Sequence, residues 1–503
     1  MNIPDPDVRP RAGTPVNPIV IVITLGVSSL FVSLMQSLVL PIQLELPGLL
    51  NTSPANASWV LTATLLGGAV AMPVAGRLAD IFGKKPVLVA LSVVLLVGSL
   101  ICALSDTLAP MLVGRVLQGM AMGYIPVAIS FVREVTPLHL VNTAVASISA
   151  MLGVGGALGL PLAAWLADGR DWHILFWVSL GFAAVMVVLS LLFLPHVHDA
   201  QDAHLDWLGA IGLAIGLVAF LVGISKGQDW GWTSATTLGA IFGGLAVLAL
   251  WGVFETRLDD PLVDLRTMAR RPVLMTNLAA VLIGFGMMAQ AIVVPQLLEM
   301  PEATGYGLGR SILQAGLWMA PSGLMMLLFA PVSSKLLSTI GGRLTLTLSG
   351  LVLAVGYVLA IFLTGAPWQL LIATCVGFAG VGIGYAAMPT LILENVPPAE
   401  AGASVGVNGL ARSIGTTVSG AVMAVVMTSR TMDLGGHEVP TLGSFQLCFI
   451  VGAVAAAIGA VLAAFVYPLR GRRLAPQELQ PPAPAAGPPP PARPPRHPGH
   501  PNG

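Results

Sequence analysis

The sequence predicts an all-α integral membrane protein with 14 transmembrane helices, and three observations support this fold class. Of 503 residues, 55% are hydrophobic and only 9% are charged, whereas soluble domains carry about a quarter charged residues. Fourteen apolar segments reach the roughly 20 residues that a helix needs to cross a bilayer. Basic residues are concentrated on one side of these segments. A soluble protein is therefore excluded, and the zero net charge argues against a nucleic-acid partner.

The predicted spans are joined by short polar connections. They lie at about residues 19–41, 58–75, 86–105, 109–132, 142–167, 174–194, 207–225, 234–254, 274–298, 313–334, 344–364, 368–392, 402–428 and 444–468. The distribution of basic residues predicts their orientation, because cytoplasmic loops carry an excess of Lys and Arg. With a cytoplasmic N-terminus, seventeen of the 23 basic residues lie in cytoplasmic segments and four in external loops. We therefore expect both termini to be cytoplasmic.

Two motifs occur twice, about 260 residues apart. Segment 334–343 retains a basic residue, a leucine, a glycine and a final arginine in register with segment 76–85. Likewise, Gly123–Tyr124 is echoed by Gly384–Tyr385. This offset leaves six helices in each half and two between them. We expect a cytoplasmic tail at 1–18, six-helix bundles at 19–195 and 257–470, an inserted two-helix linker at 196–256, and a disordered proline-rich tail at 471–503.

The loop after the second span combines glycines with four charges. Gly76 and Gly83 permit a tight turn and close helix contact, and Asp80 can cap a neighbouring helix or pair with a basic residue. Lys84 and Lys85 are expected to hold the loop at the anionic inner leaflet. The spacing resembles the signature loop of the major facilitator superfamily, which implies the major facilitator fold and a role in gating.

The fourth span contains Arg115 followed one turn later by Gln118, and this pair resembles the R-x-x-Q-G motif of the same superfamily. An arginine inside a span is costly and functional by default. We expect the pair to face the central cavity, where the arginine can lower the proton affinity of a carboxylate or hold an anionic group. Snorkelling of Arg115 to the outer surface is the alternative.

The fifth span contains Gly155, Gly159 and Pro161, which resemble the glycine- and proline-rich motif of exporters in the superfamily. This resemblance implies an antiporter-type helix. The alternative is generic helix packing through small residues.

The inserted pair and the later spans carry a more specific resemblance. Segments 206–210, 227–232 and 261–266 resemble the fourteen-span drug:proton antiporter family, and Asn408 with Arg412 matches its N-x-x-x-R-x-x-G pattern. The resemblance implies export of drugs or natural products in exchange for protons. Since Arg412 lies near mid-membrane, we expect a helix carbonyl or a carboxylate to be its partner.

The first span departs from the family pattern. Met35 stands where the family usually has an acidic residue, and Gln36 follows it. Antiport needs a carboxylate whose protonation alternates with substrate binding. The candidates are Glu299, which we favour, and Glu45, both near the outer ends of spans. Without a buried anion, neutral, zwitterionic or anionic amphiphiles suit Arg115 and Arg412 better than permanent cations do.

These observations predict a secondary active transporter in the bacterial cytoplasmic membrane, not an enzyme. We expect it to export hydrophobic or amphiphilic small molecules such as drugs, antibiotics or natural products, and so to confer resistance. The alternatives are transport of a lipid or lipid-linked metabolite, and a proton-independent facilitator. Protons and membrane lipids are the other expected partners; we expect a monomer without cofactor or metal.

Overall fold

The computed structural model describes residues 17–40, 42–43, 45–167, 170–197, 204–258 and 260–467. Within these ranges, 14 helical segments are long and apolar enough to cross a membrane, which confirms the predicted number. Both predicted tails lie almost entirely outside the described residues.

The helices follow one another with short connections. The first six spans comprise α1 (Pro18–Ser37), α2 (Leu46–Leu49), α3 (Pro54–Ala57), α4 (Trp59–Phe82), α5 (Lys84–Ala103), α6 (Leu108–Met120), α7 (Tyr124–Val135), α8 (Leu138–Ala167) and α9 (Ile174–Phe193). The inserted pair comprises α10 (Trp207–Trp230) and α11 (Ala235–Glu255). The last six spans comprise α12 (Leu265–Met268), α13 (Arg271–Glu299), α14 (Ile312–Leu328), α15 (Ala330–Thr339), α16 (Gly341–Phe362), α17 (Pro367–Asn395), α18 (Ala401–Thr428) and α19 (Leu442–Ala464).

Two spans that the sequence predicts as single helices are interrupted. A 3₁₀ turn at Ala121–Gly123 separates α6 from α7, and Phe329 separates α14 from α15. Each interruption lies just before a proline, Pro126 or Pro331. Proline lacks the N–H that would bond the carbonyl four residues earlier, so the helix is weakened there. A short antiparallel hairpin of β1 (Thr431–Leu434) and β2 (His437–Pro440) follows α18.

Gly83, in the turn between α4 and α5, has a φ of +90°, which favours glycine. The end of the molecule that carries this turn is called the motif face, and the opposite end the far face. Hydrogen bonds between the first and the last six spans lie near the motif face in the described part of the chain. They join Asp80 to Gly402 and Ala403, Arg133 to Leu393, and Thr143 to Ser334.

Apolar contacts between the two halves also lie near the motif face, as the hydrogen bonds do. Ala146 and Ala150 of α8 belong to the buried cluster of the last six spans. A separate cluster near the far face, which includes Leu38 and Phe176, contains buried residues of the first six spans alone. The structure is therefore closed at the motif face.

Within the inserted pair, α10 packs against the two helices that close this face, because it contacts α4 and α18 as well as α11. Near the far face, Lys226 is 2% exposed. Its ammonium donates to the carbonyl of Ala55 at 3.4 Å and to the hydroxyl of Ser58, pairs with Asp229 at 3.2 Å, and lies 5.1 Å from the ring centroid of Trp59. This buried cation links α10 of the inserted pair to the residues at the start of α4.

The α13–α18 contact provides a test of the packing. An ideal Cβ at Gly415 would lie 1.9 Å from the carbonyl oxygen of Val281. We expect Gly415→Ala to lower the apparent Tm in detergent, because overpacking costs about 1–3 kcal/mol. Gly243→Ala on α11 is the matched control, since its Cβ would enter open space and alanine stabilises a compatible helix position by about 0.4–1 kcal/mol. Equal Tm shifts in the two variants would contradict this packing.

Candidate gate and translocation site

The closed motif face is built on a crossing of α4 and α18. An ideal Cβ at Gly76 would lie 2.1 Å from the carbonyl oxygen of Gly402, and one at Gly402 would lie 2.5 Å from the carbonyl oxygen of Gly76. Larger residues would hold the two backbones apart. The glycines of the motif therefore permit the contact on which the gate depends.

Asp80 fixes the register of this crossing. Its Oδ1 accepts the N–H of Gly402 at 3.0 Å, and its Oδ2 accepts the N–H of Ala403 at 2.9 Å. These N–H groups belong to the first turn of α18, where backbone donors lack helical partners and the helix dipole favours negative charge. Asp80 is 3% exposed, so a carboxylate of one half caps a helix of the other half away from water.

The two lysines of the motif have different surroundings from those predicted. Lys84 is buried and pairs with Asp80 at 3.4 Å and with Glu134. Lys85 donates to the carbonyls of Leu191 and Leu194 at 3.1 and 2.7 Å, at the C-terminal end of α9. The prediction that Lys84 holds the loop at the lipid surface is therefore wrong, because Asp80 and Glu134 compensate its charge inside the protein.

The second copy of the motif lacks the same capping group. Ser338 stands where Asp80 stands in the first copy. Its exposed hydroxyl donates to the backbone carbonyl of Lys335 in its own helix at 2.9 Å. The cross-half contact of this copy joins the hydroxyls of Ser334 and Thr143 at 2.8 Å. The gate is therefore asymmetric, with a buried charge on one side and a hydroxyl pair on the other.

Arg133 makes a contact between the two halves that the sequence analysis missed. Its guanidinium donates to the carbonyl of Leu393 at 2.5 Å across the two halves. Its neighbour Glu134 is echoed by Glu394 in the repeated segment. This echo was the available signal, because pseudo-equivalent segments meet at a pseudo-two-fold interface.

Arg115 and Gln118 lie inside the first six spans rather than at the central cavity. Arg115 is 1% exposed and donates to the carbonyl of Val60 at 3.2 Å and to the amide oxygen of Gln118 at 2.7 Å. Gln118 donates onward to Ser99 at 3.0 Å. The expectation of a cavity-facing pair is therefore wrong. Snorkelling is equally excluded, since the partners of Arg115 lie on α4 and one turn further along α6.

The glycines of the fifth span pack against α1. Ideal Cβ atoms at Gly155 and Gly159 would lie 2.5 Å from Cβ of Ser33 and 2.0 Å from Oγ of Ser37. Pro161 continues the same helix and is half-buried. The small-residue packing that the sequence left as an alternative is what these contacts show.

Arg412 lies on α18 with its guanidinium over the ring of Tyr385, 4.8 Å from the centroid. The side chain is partly exposed. One turn earlier, Asn408 donates to Asn277 of α13 at 3.0 Å. The expected carbonyl or carboxylate partner of Arg412 is absent among the described residues, and an aromatic face lies against its charge instead. Tyr385 in turn donates to the sulfur of Met287 at 3.1 Å.

Comparison with known proteins agrees with this architecture. Residues 25–420 match the Major Facilitator Superfamily. The chain belongs to this superfamily. The chain is therefore a multi-pass membrane protein of a superfamily of transporters, and its bacterial relatives indicate the cytoplasmic membrane.

Individual relatives share less than a third of their residues with this chain. An uncharacterized MFS-type transporter of Mycobacterium tuberculosis is 28% identical over 68% of this chain and 49% of its own length. The multidrug resistance protein B homolog of the same organism is 26% identical over 75% of this chain and 70% of its own length. The chain thus spans about half the length of the first curated relative. The crystal structure of the human organic anion transporter MFSD10 is 18% identical, with a TM-score of 0.63 over 90% of this chain and 100% of that chain, which shows a shared fold.

The carboxylate favoured for proton coupling, Glu299, lies far from Arg412. Met35, in the place of the family's usual acid, is 3% exposed inside an apolar cluster, and Gln36 beside it is half-buried. Glu45 is exposed and Glu299 is half-buried. Gly284 on α13 packs against the backbone of Arg412, since an ideal Cβ at Gly284 would lie 2.6 Å from the carbonyl oxygen of Arg412. Glu299 lies fifteen residues after Gly284 on α13. At 1.5 Å per residue, it is about 22 Å along the helix from the level of Arg412.

The role of Asp80 in closing the motif face can be tested. We expect Asp80→Asn to raise the motif-face-open population at least about tenfold, since hydrogen bonds to charged groups contribute about 1.5–3 kcal/mol each. Opening is measured as alkylation of Ser404→Cys, a site that is 1% exposed in the closed gate, in a background lacking the native cysteines. Ser338→Ala is the matched control from the second copy and should leave labelling unchanged. Unchanged labelling in Asp80→Asn, or an equal increase in both, would contradict this role.

Proposed function

We propose that this superfamily member exports hydrophobic or amphiphilic small molecules in exchange for protons, by alternating access and as a monomer. The observation that carries the proposal is Arg412, a cation without an anionic partner in the described part of the chain. A charge in a membrane span is costly unless it is compensated. A substrate with an anionic or strongly polar group would supply that compensation during transport.

The surroundings of Arg412 favour an amphiphile. The ring of Tyr385 lies against the guanidinium, and Met287 contacts the Tyr385 hydroxyl. Met72 of α4 and Arg412 lie on either side of Gly409. An ideal Cβ at Gly409 would lie 2.8 Å from the sulfur of Met72 and 3.8 Å from Nη2 of Arg412. Thioethers and aromatic faces adapt to varied apolar shapes. A polar head at Arg412 and an apolar body against these groups fit the site.

The proposed direction is outward. The excess of basic residues favours assigning the motif face to the cytoplasm, and a closed motif face then corresponds to an outward-facing conformation. We assign the two moving bodies to 19–195 and 257–470. Among the relatives, the multidrug resistance protein B homolog carries a name that favours export of drug-like molecules.

Substrate recognition can be tested at Arg412. We expect Arg412→Gln to slow efflux of an anionic amphiphilic dye about 10- to 100-fold, which corresponds to the loss of one charge-assisted hydrogen bond. Efflux of a neutral dye of similar size should change less than about threefold by the same reasoning. Arg430→Gln is the matched control, because Arg430 is exposed outside the spans. Equal losses for both dyes would argue against a role of Arg412 in charge recognition.

Proton coupling can be tested at Glu299. In proteoliposomes with an imposed pH gradient, we expect Glu299→Gln to abolish the acceleration of transport by the gradient, because a glutamine cannot exchange a proton. Glu45→Gln should retain the acceleration, since Glu45 is exposed. Gradient-driven transport that persists in Glu299→Gln would reject this assignment.

A proton-independent facilitator is the second candidate. It is favoured by Met35, an apolar residue at the position where the antiporter family usually has an acid. In that case the wild-type protein would equilibrate substrate without responding to the pH gradient, and the same proteoliposome assay separates the two functions.

A further inference from the structure

Two carboxylates from the inserted helices lie together near the motif face. Asp206 caps α10, and its Oδ1 accepts the N–H of Gly209 at 2.9 Å. Glu255 ends α11 and is 2% exposed, and its Oε2 accepts the N–H of Leu262 at 3.0 Å. The remaining oxygen of each, Oδ2 of Asp206 and Oε1 of Glu255, is buried without a hydrogen-bond partner.

These two unpartnered oxygens lie close to each other beside Gly209. An ideal Cβ on Gly209 would lie 2.1 Å from Oδ2 of Asp206 and 2.5 Å from Oε1 of Glu255, so the oxygens are no further apart than the sum of these distances. Two ionised carboxylates this close repel each other, and burial raises the cost. One proton would remove a charge and supply the missing donor for a carboxyl–carboxylate hydrogen bond.

The donors beside Glu255 are uncharged: they are the backbone N–H groups of Leu262 and Val263 and the indole of Trp251. Among the described residues, neither carboxylate has an ion pair with Lys, Arg or His. Glu255 borders a cavity of about 230 Å³. The other ionisable groups on its wall are Arg77 on α4, Asp260 and Asp264 on the loop after α11, Arg266 on α12, and Glu400 before α18. Asp264 caps α12, and Arg266 donates to the carbonyl of Thr256.

We propose that Asp206 and Glu255 form a proton-binding site whose proton stabilises the closed gate at the motif face. Glu255 fixes the backbone at Leu262. Leu262 and Val263 are buried in the same apolar cluster as Ala79 of α4 and Ala401 of α18. Loss of the proton leaves two facing anions, which push α10 and the end of α11 apart and loosen this loop from the gate helices.

The sign of the pH dependence follows. The closed state holds the two carboxyls together and buried, so it binds the proton more tightly than the open state does. Its extra stability is present at low pH and is lost as pH rises. This inference does not depend on the direction of transport, the substrate or Glu299, so it can fail or succeed independently of the proposed function.

The test measures gate opening without substrate or gradient. Spin labels at Phe82→Cys and Ile340→Cys, two exposed positions that correspond in the two motif copies, report the distance across the motif face in nanodiscs. Between about pH 5.5 and 8.5 the wild-type closed-to-open ratio should fall at least about tenfold, which a difference of one pKa unit between the two states produces. Glu255→Gln and Asp206→Asn keep a side-chain oxygen that accepts the N–H of Leu262 or of Gly209, and both should remove this dependence.

The controls are Asp260→Asn, an exposed carboxylate on the same cavity wall, and His204→Gln, the exposed histidine just before α10. Both should retain the wild-type response. A pH-independent wild type, an unchanged response in Glu255→Gln, or a response abolished equally by a control would overturn the proposal. Opening that follows sodium concentration at fixed pH would also overturn it, in favour of a metal cation. Infrared difference spectra should show a protonated carboxyl band in wild type that Glu255→Gln removes.

Discussion

The capping of α18 by Asp80 is the interaction on which the closed conformation depends. It places a carboxylate from the first six spans on the free N–H groups of a helix from the last six. Two glycines let the backbones approach closely enough for these bonds to form. Because the contact is dry and charged, it is strong when made and leaves exposed helix donors for water when broken. Such an interaction suits a two-state gate better than a continuous hinge.

The second motif copy shows how a duplicated fold can carry unequal halves. Where the first copy has Asp80 and Lys84, the second has Ser338 and Gly342. The contact of α15 with α8 is therefore held by hydroxyls and apolar packing. The inserted helices add to the charged side, since α10 packs on both α4 and α18. Charged contacts at the motif face are thus made by Asp80 at the α4–α18 crossing and by Arg133, whereas the α8–α15 crossing has none among the described residues.

The two intramembrane arginines show how an expensive charge can be used in different ways. Arg115 is surrounded by amide and carbonyl oxygens of its own bundle, which makes it a structural residue. Arg412 rests on an aromatic face and keeps some exposure, which leaves its charge available. Both sequence contexts looked equally functional, because a helical position does not reveal which neighbouring helix its side chain meets.

The sequence by itself determined the fold class and the number of spans, and it singled out the loop that makes the Asp80 contact between the two halves. These follow from bilayer thickness and from local features such as the glycines and Asp80 of one short loop. The tertiary structure decided what each charge meets. It placed Lys84 in an ion pair instead of at lipid, placed Arg115 inside a bundle, and brought Asp206 and Glu255 together across 49 residues of chain. Hydropathy and motif spacing record how deep a residue lies in the membrane, but only helix packing sets which side chains share the dry space between helices.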